Sequence, residues 1–171
     1  TPLRQAIVKL FIVPFRKESS AESYETVWQE DGAPLIQRTY RQAELLQERI
    51  NEPVDIAMRY QEPSVKRGLR NMNDRGVDEL FVIPLYPHYA MSSYETAVAK
   101  VQDDLKELPF DMDITFQPPF YDDPDYIDAL YSQEKPYLDE GFDHIIFSYH
   151  GTPRRHLTKR DPSGCYCLQT D

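Results

Sequence analysis

"DELFVIPLYPHY", residues 78–89, is the stretch on which the fold turns. Leu80, Phe81, Val82 and Ile83 form an unbroken apolar run after an acidic pair, and Pro84 interrupts it. So short and apolar a run reads as a strand rather than a helix. Helical patterns stand on both sides of it. "PSVKRGLRNMNDRG" (63–76) has Pro63 near its start and Gly76 as its stop, and "SSYETAVAKVQDDLKEL" (92–108) has Ser92 or Ser93 as its cap. Further out, "VDIAMRY" (54–60), "MDITFQP" (112–118) and "FDHIIFSYH" (142–150) read as strands, and "DPDYIDALYSQEKPYLDEG" (123–141) reads as a helix. The order is β-α-β-α-β-α-β. It predicts an α/β fold of three layers, with a parallel sheet, right-handed crossovers and helices on both faces. Upstream, residues 1–28 carry a helical pattern that restarts at Ser20 with Glu22 and Glu25. Residues 32–34 break it, and 35–50 form a further helix with Ala43, Leu46 and Ile50 at helical spacing.

The chain has 171 residues, 40% hydrophobic and 12% aromatic, which suits a single globular domain spanning 1–171. Its net charge of −10 argues against nucleic acid or an anionic membrane as the main partner, because both require a basic face. No run approaches the roughly 20 apolar residues of a membrane span, so membrane contact is at most peripheral. Cys165 and Cys167 are the two cysteines, one residue apart. They imply no disulfide framework, and a reducing cytoplasmic setting is expected. The chain starts at Thr1-Pro2 without a signal-peptide pattern and stops within "GCYCLQTD", so a piece of a longer protein is expected.

In open α/β sheets, ligands bind outside the carboxyl ends of the strands. Those ends carry Arg59 and Tyr60, Tyr86 and His88, the Gln117-Pro118-Pro119 segment, and "SYHGTP" around His150. A neutral imidazole at His150 can bind a metal or take a proton. The plainer alternative is a strand-end histidine bonded to a nearby carbonyl. His88 can form a two-imidazole patch with His150, but two histidines do not make a metal site on their own, and a loop histidine among tyrosines is the favoured reading. Arg59 can clamp a carboxylate, or pair with one of the chain's own 29 acids. Tyr86, Tyr89 and Met91 can form an apolar, π-rich wall, or simply pack. His144 and His156 are expected to be structural and solvated, respectively. No GxGxxG, GxxxxGK, GxSxG or HExxH motif occurs, which excludes the common nucleotide-binding and hydrolase signatures.

Five segments in order resemble the ferrochelatase family: "SAESYETVWQEDGAPLIQRTYRQAELL", "AMRYQEPSVKRGL", "VIPLYPHYAMSS", "FSYHGTPRRH" and "KRDPSGCYCLQT". The resemblance covers essentially the whole chain. It implies the amino-terminal, Rossmann-like half of a two-domain chelatase-like protein, without the first strand and its porphyrin-contacting loop and without the second domain. It implies a lyase of heme biosynthesis that inserts Fe²⁺ into protoporphyrin IX or coproporphyrin III, with iron and porphyrin as substrates and no required cofactor. His150 then matches the histidine that binds the metal and takes pyrrole protons. Arg59, Tyr60, Tyr86, His88 and Met91 fall at porphyrin-binding positions. The family's partner glutamate lies in the second domain, so no residue here takes that role. From the residues alone, Cys165 and Cys167 are either ordinary free thiols or one or two ligands of an iron–sulfur (2Fe–2S) cluster completed by cysteines beyond residue 171. His88 replaces the commoner glutamine, Ala90 and Ala33 replace serines, and Thr152 replaces leucine. The competing expectations are a cobalt or iron chelatase acting on an earlier tetrapyrrole, and a fragment that binds metal or porphyrin without catalysing insertion.

Overall fold

A computed structural model describes residues 21–30, 32–151 and 153–160. The expected helix before residue 21, its Ser20 cap, Thr152 and the cysteines Cys165 and Cys167 lie outside those residues. Tertiary contacts divide the chain into two units, Thr1–Met58 and Arg59–Asp171.

In the first unit, a helical stretch at 21–25 ends in a tight reversal. There Gln29 and Gly32 exchange backbone hydrogen bonds of 3.2 and 2.9 Å. Gly32 has φ +106°, a conformation that L side chains avoid. Helix α1 (Pro34–Gln47) follows, with proline in its first turn, where a missing N–H costs nothing. It stops three residues short of the expected end. The Gln47 side chain donates to the Ile50 and Glu52 carbonyls and accepts from the Val54 N–H, closing the exit turn.

The second unit contains α2 (Val65–Asp74), β1 (Glu79–Val82), α3 (Tyr94–Lys106), β2 (Asp113–Phe116), α4 (Pro124–Leu138) and α5 (Arg154–Arg160). Strands β1 and β2 are parallel, in register from Glu79 opposite Asp113 to Val82 opposite Phe116, with α3 as the crossover between them. The architecture is α/β, as the alternation predicts.

Alternation within each strand sorts the side chains onto two faces. Leu80, Val82, Ile114 and Phe116 pack on a core of Val65, Leu69, Met72, Val101 and Met112. Val65, Leu69 and Met72 recur at i, i+4 and i+7, so α2 presents one apolar stripe to that core. Glu79, Phe81, Asp113 and Thr115 line the opposite face, around an open cavity of about 310 Å³. Helix α2 ends as the sequence predicts. The Val77 N–H reaches back to the Met72 carbonyl, the Gly76 N–H reaches the Asn73 carbonyl, and Gly76 takes φ +76°. This is the double-bonded left-handed stop that favours glycine.

Charges fasten α2 to α3. Asp104 is buried. Its Oδ1 accepts from Lys100 at 2.6 Å and lies 4.0 Å from the Lys66 ammonium of α2. Lys66 also bonds Glu107, the residue that closes α3. That hydrogen bond is the main reason the Lys66 pKa is raised and the Glu107 pKa is lowered.

Two expected strands do not form ladders. Asp55 turns its carboxylate onto the Ile56 N–H, and 54–60 spans the boundary between the units. Residues 142–150 are exposed, with Ile146 and Phe147 among the most open side chains, and pair with no named strand. β-propensity suits a residue to a pleated surface but supplies no partner N–H or C=O groups. The Ser93 side chain does not cap α3; instead Thr96 Oγ1 donates to the Ser93 carbonyl at 3.0 Å.

Candidate functional site

The carboxyl ends of β1 and β2 run into two loops, 83–93 and 117–123, that are held together. One rung beyond the strands, the Gln117 N–H donates to the Val82 carbonyl at 2.9 Å. The Gln117 carbonyl in turn accepts from the Tyr94 hydroxyl at 3.0 Å. Farther along, the Phe120 N–H donates to the Pro87 carbonyl at 2.9 Å. The next residue on each loop is aromatic. His88 and Tyr121 stack with ring centroids 5.4 Å apart and planes 18° from parallel. Tyr89 donates its hydroxyl to Glu95 at 2.7 Å and leans on Tyr94. Tyr86 is half-buried, its N–H closing a tight turn onto the Pro84 carbonyl at 2.7 Å, and Met91 is half-buried too. An aromatic, partly exposed rim therefore stands where the strand-end rule looks for ligands.

Arg59 lays its guanidinium 4.7 Å from the centroid of the Tyr60 ring, a cation–π contact between sequence neighbours. Its Nε is buried and without a hydrogen-bond partner, and among the described residues no carboxylate pairs with it. Among the described residues, Arg59 thus makes no ion pair of the kind weighed for it.

His150 is exposed, and its Nδ1 lies 3.0 Å from the Gly151 carbonyl. A carbonyl only accepts, so Nδ1 is the donor of this contact, and in the neutral ring Nε2 carries the lone pair. The plainer expectation for this residue, a carbonyl bond, is met. It also leaves Nε2 as a base or metal ligand. Phe147 and Tyr149, just before it, stack at 6.3 Å. His144 is exposed, while His156, expected to be solvated, is half-buried with an unpartnered Nδ1.

The expected site residues form separate groups. His88, Tyr86 and Met91 share one loop, Arg59 and Tyr60 contact each other, and His150 stands on its own segment. Among the described residues, no hydrogen bond, ion pair or ring contact joins His150 to the other five. No group of three or more His, Cys, Asp or Glu side chains among them is placed to hold a metal ion. Nor is any of their helices long and apolar enough to cross a membrane. Tyr121, which stacks on His88, is a rim residue that sequence reasoning did not name. It lies two positions beyond the Gln117-Pro118-Pro119 segment at the end of β2, so extending the strand-end rule by two residues finds it.

An α/β chain with an imidazole and aromatic rings on the loops after its two parallel strands has the layout in which such sheets meet ligands. The family is settled by comparison: the chain belongs to the ferrochelatase family, whose model matches residues 1–171. It is 40% identical over 171 residues to a ferrochelatase of Ectopseudomonas mendocina, covering 99% of this chain and 50% of that protein. It is 43% identical over 168 residues to one of Opitutus terrae, covering 97% of this chain and 49% of the relative. A ferrochelatase of Pseudomonas entomophila is 39% identical over 169 residues, covering 98% and 50%. The chain spans about half the length of the curated relatives it matches.

Proposed function

We propose that this chain is the amino-terminal α/β domain of a ferrochelatase, a lyase that inserts Fe²⁺ into protoporphyrin IX or coproporphyrin III in the cytoplasm. The observation that carries the reading is the family match along all 171 residues. The site chemistry supports it. Insertion exchanges two pyrrole N–H protons for one metal ion, so it needs a base near the macrocycle plane and a ligand that delivers Fe²⁺. His150, with its proton held on Nδ1 by the Gly151 carbonyl, offers Nε2 for either task. One lone pair serves one task at a time. The second is assigned to a carboxylate of the other half of the protein, so the chain alone is expected to be inactive.

The other groups suit the substrate. Tyr86, Met91 and the His88–Tyr121 stack offer flat or polarisable surface to a macrocycle face. Arg59, with no carboxylate paired to it among the described residues, suits a propionate, with Tyr60 beside it. Holding the ring bent toward a metal-accepting shape is ground-state strain that such remote contacts offset. The excess of acidic residues adds a field favourable to a divalent cation. Cys165 and Cys167 are half of the four-thiolate set usual for a 2Fe–2S cluster. This chain by itself does not complete one, and no step depends on it.

The test is porphyrin metallation followed by absorbance, with Fe²⁺ or Zn²⁺, for the full-length protein, its His150→Ala variant and this chain. The expected result is an active full-length protein, a dead variant and an inert half. Near-parental activity in His150→Ala would remove His150 from the chemistry.

A further inference from the structure

We propose that Tyr121 is a positioning residue: it holds the His88 imidazole in the orientation that receives a porphyrin, and this rests on the porphyrin-site reading above. The two rings come from different strand ends, so their stack is a tertiary contact. It is prepared by the backbone. The residues just before them, Pro87 and Phe120, are joined by a 2.9 Å hydrogen bond, so the two aromatic side chains leave the main chain from fixed points. The β2 loop is anchored again beyond Tyr121. Phe120 meets Tyr126 edge to face at 5.3 Å, and the Asp123 carboxylate accepts the Asp125 and Tyr126 N–H groups at the start of α4.

Both rings are nevertheless exposed, Tyr121 at 49%. This is no core pair: its fold-stabilising burial is small, and one face of the imidazole is left for a ligand. An exposed histidine on an unbraced loop would lose rotamer freedom on binding. A stack formed in advance removes that cost, worth about 3- to 10-fold in affinity. The phenol hydroxyl makes no hydrogen bond among the described residues. The ring, not the hydroxyl, is therefore the functional part.

The experiment uses the full-length protein with protoporphyrin IX as the probe, following quenching of porphyrin fluorescence. It compares wild type, Tyr121→Phe, Tyr121→Leu, His88→Ala and the double variant His88→Ala/Tyr121→Leu. His88 ring-proton shifts are read by NMR beside them. Tyr121→Leu is expected to weaken binding about 3- to 10-fold, and Tyr121→Phe to keep wild-type affinity. The double variant should bind no more weakly than His88→Ala alone, because the effect of Tyr121 passes through His88. The His88 ring protons should carry an aromatic ring-current shift in wild type and Tyr121→Phe and lose it in Tyr121→Leu. Additive losses in the double variant, or His88 shifts that ignore Tyr121→Leu, would overturn the proposal. A wild-type full-length protein that binds no protoporphyrin IX would instead sink the porphyrin reading itself, and the positioning role with it.

Discussion

Leu69→Ala is expected to cost the second unit about 3 kcal/mol. Leu69 is 3% exposed and sits mid-stripe on α2, between Val65 and Met72, against Val101 of α3 and the inner face of the β1–β2 pair. The change deletes three buried carbons, at about 0.8 kcal/mol each. The packed surroundings relax only in part, and the residual void adds about 20–25 cal/mol per Å³. Because the buried apolar core contains few residues, this is a large share of a typical domain stability of about 5–15 kcal/mol. Urea unfolding followed by far-UV circular dichroism measures it. At a slope near 2 kcal/mol/M, the midpoint should fall by about 1.5 M with the slope unchanged. Leu130→Ala on α4, a helix with no buried residue, is the control and should cost less than about 0.5 kcal/mol. A Leu69→Ala loss under about 1 kcal/mol, or one equal to the control, would refute the packing of α2 on the sheet. The strand-end loops would then lack the platform argued for them.

Two further outcomes follow from single contacts. Gly76→Ala should lower stability by about 1 kcal/mol in a thermal melt, through the left-handed backbone alone, since a Cβ there meets nothing within 4 Å; a stabilised variant would refute that conformation. For the Lys66–Glu107 pair, the lowered carboxylate pKa means its stabilisation is present above the ordinary glutamate range and lost as pH falls through the lowered value. The raised lysine pKa means it is present below the ordinary lysine range and lost as pH rises through the raised value. The stability difference between wild type and Glu107→Gln should therefore be flat across neutral pH and shrink at both extremes; a difference independent of pH throughout would show that the pair is not formed.

The residues themselves carried much of this protein. "DELFVIPLY" and "MDITFQP" became the parallel pair, with the helix between them as crossover, because a short apolar run and a 3.6-residue stripe are local properties. Gly76 announced the end of α2 for the same reason: left-handed backbone is a property of one residue and its neighbours. Tyr86 and His88 lie past the carboxyl end of β1, where the apolar run of 80–83 places them. What depends on another part of the chain was not legible. "VDIAMRY" and "FDHIIFSYH" have strand composition but no ladder here, since pairing needs a second backbone in register. The His88–Tyr121 stack joins residues 33 positions apart, brought together by the β1–β2 pairing and the Phe120–Pro87 hydrogen bond. The burial of the Arg59 Nε without a partner among the described residues likewise depends on what packs around it, which tertiary structure decides.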